Sequence, residues 1–215
     1  MRIKRISLQI PHIYTSEELS RFFAETDKCS YCSEVPYRHL IMPVFFRLLL
    51  SSGLHCSEAL MLTVDDMKET GIYEDTPKNK YSNRKIKVSD YVMQMLRKYR
   101  EWQDYQRENI GSKWIESGKV FTGVTGKPLH PSTPSKWFRN FNLKYGLKTI
   151  HLHTLRHTSS TMMLMNGIPL NEISKRLGHN CASTTSNIYC HVIEEAEQKA
   201  AEALENAILS KLKRA

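Results

Sequence analysis

Apolar residues recur at helical spacing along most of the chain and give way to alternation in one stretch only. TSEELSRFFAET opens with Thr15 and carries Glu18 three residues later, the pairing of a capping box, so a helix is expected to start there. YRHLIMPVFFRLLLSSG is apolar on all sides and predicts a buried helix, with Pro43 in its first turn or at a kink and Gly53 at its end. SEALMLTVDDM predicts a short amphipathic helix and its exit. GIYEDTPKNKYSNRKIKVSD alternates, is basic and holds Pro77, Asn79 and Asn83 at its tip, which predicts a small β-hairpin or strand pair. From a Ser89 cap, Val92, Leu96 and Tyr99 mark a long surface helix.

The next segment, SGKVFTGVTGKPLHPSTPS, is a Gly/Pro-rich connector with one short strand. PSKWFRNFNLKYG predicts a helix with Trp137, Phe138 and Phe141 inward and Gly146 as its stop. Three helical pieces follow: HTLRHTSSTMMLMNG to Gly167, PLNEISKRLGH between Pro169 and Gly178, and ASTTSNIYCHV. The tail EEAEQKAAEALENAILSKLKRA favours a helix with Ala201, Leu204 and Ile208 on one side. The sum is a mainly α domain with a small β-sheet or hairpin insert. It divides into a basic arm (1–14), a domain (15–193) and a tail helix (194–215).

Composition narrows the partners. Lys and Arg number 31 against 22 acidic residues, for a net charge of +9, which favours a polyanion. Five cysteines (Cys29, Cys32, Cys56, Cys181, Cys190) lack framework spacing and fit a reducing compartment. No run of 18 apolar residues occurs and MRIKRISLQI has no apolar signal core, so a soluble intracellular protein without a membrane partner is expected.

Candidate chemistry gathers late in the chain. His153 and Arg156, three apart in HTLRH, would share a helix face; an imidazole beside a guanidinium suits a phosphate, which Arg can fork while His handles a proton. His179 follows a helix stop in RLGHN, and Tyr189 comes ten residues later in SNIYCHV. Each alone has an ordinary structural explanation. CSYC with His39 is a weak zinc hint, better read as loop cysteines. A metal-dependent phosphoesterase using His151, His153 and His157 would lack the usual carboxylates.

Taken together, HTLRHT, LGHNCASTT and IYCH resemble the C-terminal box of the tyrosine recombinases, the phage-integrase family: H-x-x-R, then L-G-H, then Tyr about ten residues on. SSGLHCSEALMLTVDDM resembles the family's first box, G-L-R-x-S-E-x-x-x-L, and TPKNKYSNRKIKV its β-hairpin with a lysine after Thr-Pro. The resemblance spans roughly residues 12–195. It implies the recombinase catalytic-domain fold and a metal-free, cofactor-free reaction on double-stranded DNA. Tyr189 would be the nucleophile, forming a 3′-phosphotyrosyl bond. Arg156 would clamp the phosphate, His153 would act as acid/base and His179 would donate to the phosphate. Lys78 would protonate the leaving oxygen, with Lys80 as the fallback. Lys80, Arg84, Lys136 and Arg139 are candidate DNA contacts.

The resemblance also implies a tail helix that docks on a neighbouring protomer, and action on the nucleoid in a bacterial cytoplasm. With only a basic arm before the catalytic domain, DNA affinity should be low and salt-dependent.

One position departs from the pattern. The family's first arginine falls on residue 55, which is His55. Histidine is shorter, lacks the fork and is mostly neutral at pH 7. The expectation is therefore an impaired strand transferase, or else an inactive module that occupies DNA without cutting it.

Overall fold

The computed structural model describes residues 12–33, 36–68, 71–74, 84–148 and 151–178. The arm before His12, the hairpin tip with Lys78 and Lys80, and everything after Gly178, including His179, Tyr189 and the tail, lie outside the described residues.

Helix α1 (Ser16–Asp27) starts as its capping box demands: Thr15 Oγ1 accepts from the Glu18 backbone N–H, and the Glu18 carboxylate accepts from that of Thr15. Helix α2 (Arg38–Ser52) is the hub. It buries an unbroken run from Ile41 to Leu49 and packs against α1, α3 (Cys56–Met61), α4 (Asp90–Ile110) and α6 (Thr154–Met165). Pro43 sits inside α2, past the first turn. Gly53 ends the helix at φ 71, a left-handed conformation that turns the chain toward α3. Phe45 and Phe46 meet Phe121, Phe138 and Phe22 edge-on or tilted, and these aromatics centre the core.

The β insert has three strands where two were expected. β1 (Met67–Lys68), β2 (Gly71–Glu74) and β3 (Arg84–Ile86) pair antiparallel in sequence order. β1 escapes a pattern reading because two residues show no alternation. The connector after α4 differs too. It forms two isolated bridges, Thr63 with Lys119 and Thr122 with Pro128, in place of a strand. The physical reason lies in α4. Gln103 donates to the Val120 carbonyl at 2.9 Å, Tyr99 donates to the Thr122 carbonyl at 3.1 Å, and the Thr122 N–H donates back to the Tyr99 hydroxyl. Side chains thus satisfy the backbone groups a neighbouring strand would take.

Helix α5 (Thr133–Lys144) buries Phe138 and Phe141, with Trp137 partly covered. Ser89 stands at the N-cap position of α4 but makes no side-chain cap hydrogen bond. Helix α7 (Leu170–Leu177) follows Pro169 and ends at Gly178, φ 71.

Candidate phosphate site at the α2–α3 turn

Four segments meet at one corner: the turn between α2 and α3, the start of α6, the end of α7 and strand β3. Arg156 holds three of them together. It lies in the first turn of α6 and is 3% exposed. Its Nη1 donates to the Gly53 carbonyl and its Nη2 to that of Leu177 at 2.6 Å, so one guanidinium closes both helix ends. These are carbonyls left over where helices stop, and a forked cation suits them.

Glu58 is the carboxylate of the corner. Its Oε2 accepts the His55 backbone N–H at 2.8 Å and the Arg84 Nη2 at 2.9 Å, and lies 3.9 Å from Arg156 Nη1. Glu58 carried no assigned role in the motif reading. Its signal was its place three residues after the helix cap, where a carboxylate reaches back to the cap's N–H.

His55 caps α3 in an extended conformation and is half-buried. Its ring stacks on His153, with centroids 4.9 Å apart and planes 17° apart. His153 in turn meets His157 edge-on at 4.7 Å. His153 is the N-cap of α6, one residue outside the helix face it was expected to share with Arg156. The two still converge, because the Arg156 N–H bonds the His153 carbonyl at 3.0 Å across that first turn. His153 reaches solvent, yet burial of its ring, then the Arg156 charge, lower its pKa below the ordinary 6.5, against an opposing pull from Glu58. A neutral imidazole can accept a proton.

His55, His153 and Arg156 line a cavity of about 410 Å³ with His151 and Ser135. Cys56 borders it too, but burial pushes its thiol up to about 11, which leaves it protonated and unreactive. A second cavity of about 860 Å³ is rich in cations, with Arg47, Arg84, Lys87, Lys175 and Arg176 on its walls. Arg84, a candidate DNA contact, is largely buried: its side chain is 9% exposed and pairs with Glu58. Lys136 and Arg139 are exposed on α5. Cys29 and Cys32 are free thiols, and among the described residues no group of three His, Cys, Asp or Glu could hold a metal ion. No described helix is long and apolar enough to cross a membrane.

Comparison with known proteins bears on the family and the fold. A tyrosine recombinase XerC-like protein of Caldanaerobacter subterraneus subsp. tengcongensis is 31% identical over 154 residues, covering 69% of this chain and 39% of its own length. The chain therefore spans about two fifths of that relative. The crystal structure of XerA recombinase superposes with a TM-score of 0.72 at 21% identity, over 90% of this chain and 65% of that one. The Tn1549 transposon integrase, in complex with transposon right end DNA, gives 0.73 at 19%, over 91% and 66%. At such identities the structures speak for the fold, that of a tyrosine recombinase catalytic domain. The sequence profile of the phage integrase family matches residues 13–196, nearly the whole chain, and the chain belongs to that family.

Proposed function

We propose that this chain is a site-specific DNA recombinase or integrase domain that cleaves and rejoins DNA through a 3′-phosphotyrosyl intermediate, and that His55 impairs it. The observation that carries the reading is the convergence of Arg156, His153 and His55 on one cavity. Family membership, relatives named as recombinases and integrases, a structural neighbour solved on DNA and a net charge of +9 support the same substrate.

In this mechanism Tyr189 Oη attacks the scissile phosphorus, and its proton passes to the His153 imidazole. The bond from phosphorus to the 5′-oxygen breaks, and Lys78 protonates that oxygen, with Lys80 as the alternative donor. The strand then ends in a 5′-hydroxyl, while the phosphotyrosyl ester keeps the energy of the broken bond for rejoining. Arg156 and His179 stabilise charge on the phosphate. Lys136 and Arg139 would meet backbone phosphates. Self-association on DNA through the tail at 194–215, and a place on the bacterial nucleoid, belong to the same reading.

A second reading has its own observation. The His55 ring stacks on His153, so two positive imidazoles would repel each other there, and position 55 supplies phosphate-binding charge poorly. On that reading the chain occupies DNA sites without cutting them.

The test is a covalent trap on nicked DNA that releases a short 5′-hydroxyl fragment on cleavage. Wild type should form a protein–DNA adduct that Tyr189→Phe cannot form. His55→Arg should form it about 100- to 1000-fold faster, the usual worth of one aimed donor. An adduct with His55→Arg alone would favour the second reading. No adduct in any lane would overturn the recombinase assignment.

A further inference from the structure

Along α4 one face changes character. Met93, Leu96, Arg100 and Gln103 follow at steps of three or four, with Arg97 four after Met93, so all five share a side of the helix. Opposite them lies the entry to the β-sheet: Val64 in a 3-10 turn (Val64–Asp66), then Met67 and Lys68 of β1. A cavity of about 240 Å³ opens between the two. We infer that it binds a small amphiphilic monocarboxylate, with the hydrocarbon chain inside and the carboxylate at the mouth against Lys68 and Arg97. The site shares no lining residue with the candidate phosphate cavity and does not depend on the recombinase reading.

The walls set the body of the ligand. Met67, Met93, Leu96 and Val120 give the cavity an apolar lining, and the last three are buried. Tyr99 and Gln103 border it as well, but the Tyr99 hydroxyl is committed to Thr122 and the Gln103 amide nitrogen to Thr122 and the Val120 carbonyl. The interior therefore suits hydrocarbon, and recognition of a charged group is left to the mouth. Charge sets the head group. Lys68, Arg97 and Arg100 border the cavity, and among its described lining residues there is no carboxylate. Arg100 is answered by Asp104 at 3.2 Å. Lys68 and Arg97 are exposed, and among the described residues neither has an ion pair or a side-chain hydrogen bond. Two uncommitted cations over an apolar interior complement an anion that trails a hydrocarbon chain. Size sets the rest. Drug-sized ligands occupy about 300 Å³ or more, so this cavity suits a smaller molecule. A partner helix, about 10 Å across with its side chains, does not fit inside it.

The test titrates octanoate into the full chain carrying 13C-methyl methionine, with octan-1-ol as the uncharged control. Met67→Leu and Met93→Leu assign the two methyl signals that line the cavity. Octanoate should shift both signals saturably, and octan-1-ol should bind about tenfold more weakly. Lys68→Gln/Arg97→Gln, two changes at exposed positions, should raise the octanoate Kd about tenfold and leave that of octan-1-ol unchanged. Val64→Phe narrows the cavity and should weaken both probes. Absence of a saturable shift at Met67 and Met93 overturns the inference. Equal affinity for octanoate and octan-1-ol overturns the carboxylate class, as does an unchanged octanoate Kd in the double variant. A Val64→Phe chain with wild-type Tm and wild-type octanoate affinity would place the binding elsewhere and overturn the site.

Discussion

At the α4 corner, Gln103 donates to the Val120 carbonyl and to the Thr122 hydroxyl, and Tyr99 exchanges hydrogen bonds with Thr122. At the α2–α6 corner, Arg156 donates to two carbonyls and faces Glu58 beside Arg84. Both corners bury polar groups among apolar neighbours. The first is neutral: every group has a local partner, and burial pushes the Tyr99 hydroxyl up to about 12, so it stays protonated. The second is built on charged groups and borders cavities of about 410 and 860 Å³. A neutral network closed on itself makes a joint, whereas charged groups beside open space make a candidate site.

Substitutions can set these corners against each other. The largest effect should come from Arg156→Ala. It removes the proposed phosphate clamp and leaves two carbonyls without their donor, so adduct formation should fall about 1000-fold. Urea unfolding should show a loss of about 2–5 kcal/mol, from the orphaned carbonyls and the charge left beside them. Next comes Gln103→Leu, which strands the Val120 and Thr122 groups while keeping the volume. It should cost about 1–3 kcal/mol in urea unfolding and leave phosphate affinity untouched. A matching loss of phosphate binding would show that the two corners are not separable. The smallest effect concerns pH. The folded pKa of His153 is lowered, so the unfolded chain takes up its proton first as pH falls through 6.5. Wild-type Tm should therefore decline from pH 7 toward pH 5.5 slightly more than that of His153→Asn. Because His153 is solvent-exposed, the difference should be small. An equal decline in both would remove His153 from the account.

Periodicity and punctuation carried most of the helical frame. The Thr15–Glu18 box, the stops at Gly53 and Gly178 and the apolar run of α2 all lie where local chemistry demands. What stayed hidden was long-range. Nothing near Val120 says that its carbonyl will be met by Gln103, so the connector read as holding one short strand. Nothing near Arg84 says that a partner lies 26 residues earlier on α3, so the sequence offered it only as a candidate DNA contact. At the site, motif order marked His55, His153 and Arg156 as residues to watch. The ring stack, the N-cap position of His153 and the convergence on Glu58 needed three dimensions.

The hydrogen bond from Arg156 to Gly53 spans 103 residues of sequence. A contact of that span forms only after the intervening chain has condensed, and during synthesis no nascent chain shorter than 156 residues contains it. The seat for a phosphate is therefore one of the last things the molecule acquires and, on local unfolding of α6, one of the first it gives up. For a chain proposed to break DNA, this would be a safeguard written into topology. A fragment or a half-folded chain holds the polar side chains of the site but not their arrangement, so any capacity to cut would arrive together with the finished fold.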